Sequence, residues 1–88
     1  MKKVITIEWE IHDTDNLNGG YRTGVSKLET EVKNNLELIN CAIRFAENLP
    51  SWELERNGIN EDEYIDRKHC RPHYLTKLSK VLKIENVK

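Results

Sequence analysis

The residues with the most chemical potential in this 88-residue chain lie close together, in His69-Cys70-Arg71-Pro72-His73, with Cys41 well upstream. Two imidazoles and two thiols are a donor set that suits tetrahedral zinc. The usual pairing of two short ligand units is absent, however, and Pro72 interrupts the helix that would hold His69 and His73 on one face. Cys41, His69, Cys70 and His73 are therefore weak metal candidates, and no metal or cofactor is expected. Buried thiols with two surface histidines in a basic region explain the same residues. Cys70 beside an imidazole and Arg71 also suggests an activated nucleophile. No small-residue elbow or Gly-rich turn near it supplies an oxyanion site, so the chain is not expected to be an enzyme.

Two further motifs fail on spacing. Counted from Asp13 as a calcium loop, the fifth position is Leu17, the sixth is Asn18 rather than Gly, and the twelfth is Gly24 rather than Glu. Gly19-Gly20 is not followed by the Gly-Lys-Ser/Thr of a phosphate-binding loop.

Charge carries more information. The chain has 14 Lys+Arg and 15 Asp+Glu, a net charge of −1. Residues 1–66 hold 7 basic and 14 acidic residues, whereas residues 67–88 hold 7 basic residues and only Glu85. The near-neutral total thus joins a segment of −7 to one of +6. Segregation of this kind bears on partners and steering rather than on fold. The acidic set Glu53, Glu55, Glu61, Asp62, Glu63 and Asp66, with Trp52 and Tyr64 as aromatic anchors, is the expected partner-binding surface. Acids are also favoured in the first turn of a helix, which explains most of them without a partner. The basic set Arg67, Lys68, Arg71, Lys77, Lys80 and Lys83 is the alternative, a stripe that phosphates would accept. A strand followed by two helices is also the order of ribbon-helix-helix DNA binders. Here the strand presents Thr6, Glu8, Glu10 and His12 on its polar side, where a groove-reading ribbon should present donors.

These residues must be positioned by a small α+β fold. Ile5, Ile7, Trp9 and Ile11 alternate with Thr6, Glu8, Glu10 and His12, the period of a half-buried strand over 4–12. Turn formers follow, and Tyr21–Val25 is a candidate return strand that completes an N-terminal β-hairpin. A lone hairpin is marginal in water, so it must pack on helices or pair across a dimer; Ile84–Val87 is a weak third-strand candidate.

Ser26-Lys27-Leu28-Glu29 has the form of a capping box and predicts one long central helix over 27–49. Its stripes are Leu28, Val32, Leu36, Ile39, Ile43 and Ala46, and then Leu38, Ala42, Phe45 and Leu49. Shorter helices are predicted at 52–57, 61–70 and 72–83, the last opened by Pro72 and facing the core with Tyr74, Leu75, Leu78, Val81 and Leu82.

The whole of 1–88 reads as one small soluble domain, with no apolar run long enough to span a membrane and no signal-peptide core after Met1-Lys2-Lys3. A cytoplasmic location is expected, with both cysteines reduced. Because so small a chain buries a modest core, self-association, most simply a homodimer, is expected as additional support. The function this favours is a non-enzymatic protein-binding module. It would be a small regulator or inhibitor of a larger, nucleic-acid-handling protein, of the phage-inhibitor or antitoxin kind, acting through a charged face with aromatic anchors. Nucleic-acid binding through the basic segment is the alternative, and metal- or cysteine-dependent catalysis comes third.

Overall fold

The computed structural model describes residues 1–13, 21–66, 71–72 and 74–87, of which 61, 63, 65, 66, 71 and 72 as backbone only. Alternation dictates the first strand, β1, at Lys2–Asp13: Ile5, Ile7, Trp9 and Ile11 are wholly buried, while the residues between them are half-exposed. β2 (Tyr21–Glu31) pairs with it antiparallel, setting Ile7 opposite Ser26 and Trp9 opposite Gly24. Gly24 is required there, because a Cβ at that position would land on the Trp9 indole.

The chain then enters α1 (Asn35–Glu47), whose cap is Asn34: its side chain accepts the Glu37 N–H at 2.9 Å. Leu38, Ala42 and Ala46 form the buried stripe of α1, and the helix packs mainly on β1 and β5. A six-residue helix, α2 (Ser51–Arg56), follows and ends at Gly58, whose φ of 76° suits glycine alone. A 3₁₀ turn at Glu61–Tyr64 leads to the two-residue strand β3 (Ile65–Asp66), which pairs with β4 (Arg71–Pro72). The last element, β5 (Tyr74–Asn86), lies antiparallel to β1 and completes a sheet of order β2-β1-β5.

One face of this sheet is covered by the helices. The core there includes Ile5, Ile7, Trp9 and Ile11 of β1 with Val32, Leu38, Leu54, Ile59 and Tyr64. Each large side chain so buried contributes about 1.5–3 kcal/mol. Tyr74 of β5 meets Tyr64 edge-on at a centroid distance of 6.0 Å. No helix among the described residues is long and apolar enough to cross a membrane.

The α+β class holds, but the architecture departs from that expected of one long central helix followed by shorter C-terminal helices. The predicted helix 27–49 is divided: residues through Glu31 belong to β2, and only Asn35–Glu47 is helical. Ser26, read as a helix cap, is a buried strand residue. The predicted helix 61–70 is a 3₁₀ turn followed by β3, as far as Asp66. The predicted helix 72–83 is instead β4 and most of β5. The strand spacing is interrupted at two places, since the register with β1 shifts between Thr6 and Ile7 and again between Glu8 and Trp9. Each shift leaves one residue of β5, Leu82 and Ser79, without an opposite number, as in a β-bulge. The turn residues 14–20, with the calcium-like and Gly-Gly motifs, lie largely outside the described residues.

Candidate partner-binding surface

Trp9 is the residue from which this surface is built. An indole on the core face of a strand buries a large apolar area and one N–H that requires an acceptor. Ser26, diagonally across the strand pair on β2 and two residues beyond Gly24, supplies it: Trp9 Nε1 donates to Ser26 Oγ at 2.8 Å. Ser26 Oγ in turn donates to Glu53 Oε2 in a short hydrogen bond. Glu53 is a buried acid, and its charge is met by Arg56 one helical turn later, with Nε on Oε1 and Nη2 on Oε2, both at 2.9 Å. A bidentate guanidinium with a hydroxyl donor is what a buried carboxylate needs. The Arg56 hydrogen bonds, followed by that of Ser26, hold Glu53 below the usual carboxylate range despite its burial.

The same segment closes the outer edge of the sheet. Arg56 Nη2 donates to the Val25 carbonyl at 2.8 Å, and Asn57 Oδ1 accepts the Val25 N–H at 2.9 Å. Asn57 Nδ2 also donates to the Glu53 carbonyl at 2.8 Å. Six residues of helix are too few to be stable alone. These ties and the burial of Leu54 fix α2 on β2. A recess of about 330 Å³ opens beside them, lined by Val25, Ser26, Lys27, Glu53, Arg56 and Asn57. Ser26 and Arg56 are engaged with Glu53, and Ser26 is 1% exposed, so the Ser26–Glu53 pair is not placed to act as a nucleophile and base.

The expected partner-binding residues therefore divide. Glu53 belongs to the internal chain just described, and Tyr64 is wholly buried in the core. Trp52, Glu55 and Asp62 lie on the surface, with Trp52 61% exposed. The side chains of Glu61, Glu63 and Asp66 are outside the described residues.

The basic set divides as well. Lys77, Lys80 and Lys83 stand on the open face of the sheet, on β5 rather than on a helix. Lys77 meets Glu10 at 3.2 Å, Lys80 meets Glu8 at 3.7 Å, and Lys83 meets Glu85 at 3.5 Å. The acids of β1 thus lie against the lysines of β5. Glu10 is further approached by His12 Nε2 at 3.0 Å and by the Tyr21 hydroxyl at 3.0 Å. His12, then Tyr21 and Lys77, hold its carboxyl below the usual range, and Glu10 pushes the Tyr21 phenol up. The side chain of Arg71, and Arg67 and Lys68 entirely, lie outside the described residues.

Of the metal candidates, Cys41 is a half-buried free thiol on α1, 3.6 Å from Arg44 Nη2. His69, Cys70 and His73 are outside the described residues, and among the described ones no group of three or more His, Cys, Asp or Glu is arranged to hold a metal ion.

Sequence reasoning gave Ser26 a helix-capping role and placed neither it nor Arg56 and Asn57 at a site. One signal was present: a Trp on the buried face of a strand calls for a hydrogen-bond acceptor on a neighbouring element. No protein-family model, curated protein or solved structure matches this chain.

Proposed function

We propose that this chain is a non-enzymatic protein-binding module, a small regulator or inhibitor that docks on a larger protein with the outer surface of α2. Trp52 is the anchor, and Glu55 and Asp62 are its acidic neighbours in the chain. One observation carries the reading: a largely exposed tryptophan stands on a helix whose other side is tied to the sheet by the Ser26–Glu53–Arg56 chain and by Asn57. Exposing an indole forgoes the burial that a tryptophan ordinarily gains, and a large aromatic with few torsions to immobilise is the side chain most enriched where interfaces concentrate their energy. A rigid mount lowers the ordering cost of binding. The acids select a partner with a basic surface, and a protein that handles nucleic acid has such a surface.

Direct contact with nucleic acid is the weaker reading, because Lys77, Lys80 and Lys83 each face a carboxylate that phosphates would have to displace. The test is quantitative capture of a partner from the native source on the immobilised chain. Glu55→Lys with Asp62→Lys is expected to reduce the captured amount severalfold at low salt while the fold is retained. Capture unchanged by the double reversal would remove the acidic surface from the account.

A further inference from the structure

The two edges of the three-stranded sheet are treated differently. The β2 edge is occupied at Val25 by Arg56 and Asn57, whereas β5 pairs only with β1 among the described residues, so its outer edge carries unpaired backbone groups. Apolar side chains are exposed beside that edge: Val81 and Ile84 are each 37% exposed and Leu82 is 46% exposed. On the adjoining helix, Leu36 is 70% exposed, and Ile39 and Ile43 are half-buried at the spacing of one helix side. Glu47 continues that side and lines a recess with Tyr74–Lys77, which places this flank of α1 over β5. An open strand edge and an apolar helix flank thus form one continuous seam.

We infer that this seam is a two-fold interface, in which β5 pairs antiparallel with β5 of a second copy about Val81 and joins two three-stranded sheets into one of six strands. The register follows from the side chains. Pairing with β1 puts Thr76, Leu78, Val81, Ile84 and Asn86 on the helix-covered face of β5, and Lys77, Lys80, Lys83 and Glu85 on the open face.

With the axis at Val81, Leu78 meets the partner's Ile84 and Thr76 meets the partner's Asn86. On the open face, Lys77 meets the partner's Glu85. Symmetry makes each of these contacts twice. The regular stretches 76–78 and 84–86 then pair with each other, and the irregular stretch containing Ser79 and Leu82 lies at the centre, facing its own copy. Moving the axis by one residue, to Lys80, also preserves the faces but sets Lys80 against the partner's Lys80 and Lys77 against the partner's Lys83. Like charges directly opposed across a strand pair are destabilising, so the lysines that guard this edge against most strands select one register with its own copy. The surface lies at the opposite sheet edge from α2 and does not depend on the function proposed for Trp52.

Sedimentation equilibrium of the unaltered chain at tens of micromolar is expected to give twice its 10.4 kDa mass. A monomer over that range overturns the inference. To locate the contact, Val81→Cys in a Cys41→Ser, Cys70→Ser background is expected to form a covalent dimer under mild oxidation. Directly opposed strand positions fall within disulfide reach. Lys27→Cys, on β2, serves as the control. A dimer in which Val81→Cys cross-links no faster than Lys27→Cys places the interface elsewhere and contradicts the proposal. Glu85→Lys, which sets lysine against lysine at two symmetric points, is expected to raise the dimer Kd by about tenfold at low salt. An unchanged Kd overturns the register.

Discussion

Glu53 is the residue on which most of the architecture near the proposed surface converges. Its carboxylate receives Ser26 and Arg56, and its carbonyl receives Asn57. Glu53→Gln would turn an amide donor toward Arg56 or Ser26 and is expected to cost about 1–3 kcal/mol at neutral pH. Because Glu53 is held below its ordinary range in the folded chain, its stabilisation is present above the unfolded carboxylate pKa and is lost as pH falls through the folded value. Glu10 acts in the same direction. Urea unfolding followed by tryptophan fluorescence should therefore show the wild type losing stability below the usual carboxylate range, with the gap to Glu53→Gln narrowing. A gap that stays constant into strong acid would contradict the assignment. This chain was poorly legible in the sequence. Ser26 and Glu29 stand three apart before an apolar pattern, which is the form of a capping box. What decides against a helix is a long-range demand, the Trp9 N–H across the sheet, that no local spacing contains.

Among the elements, β1 was plainly legible because its alternation is uninterrupted, whereas β5 was disguised. Its helix-side residues Tyr74, Thr76, Leu78, Val81 and Ile84 are separated by two, two, three and three positions, because each bulge inserts a residue. The inserted Leu82 and the neighbouring lysines complete an apparent helical period. α1 was read too long because Leu28 and Val32 continue its spacing, although they belong to β2 and the link after it. The stripe that extrapolation favoured, through Leu36, Ile39 and Ile43, is the flank of the helix, and the core is met by Leu38, Ala42 and Ala46. The mounting of α2 on β2 makes its own prediction. Asn57→Ala frees the Val25 N–H, and hydrogen exchange should show faster exchange at Val25 and through α2, with the centre of β1 unchanged. Protection retained at Val25 would mean that Asn57 does not hold this edge.

For the molecule as a whole, the segregated charge of the sequence is met in part within the fold. The positive C-terminal strand lies against the acidic strand β1, so Lys77 meets Glu10 and Lys80 meets Glu8, while Lys83 meets Glu85 of its own strand. Topology was needed to see the two pairs with β1, because their partners are more than sixty residues apart in the chain. A mobility-shift assay on duplex and single-stranded nucleic acid at low salt is accordingly expected to show no binding; a shift that weakens steeply with salt would favour the basic reading. The exposed Trp52 on its fixed helix is the feature proposed to recruit a partner. The direct measurement is the affinity of the captured partner for wild-type chain and for Trp52→Ala, with unchanged unfolding as proof of an intact fold. The account predicts a loss of at least about 30-fold, the effect of removing an interface anchor of about 2 kcal/mol. Equal affinities for the two chains would contradict it.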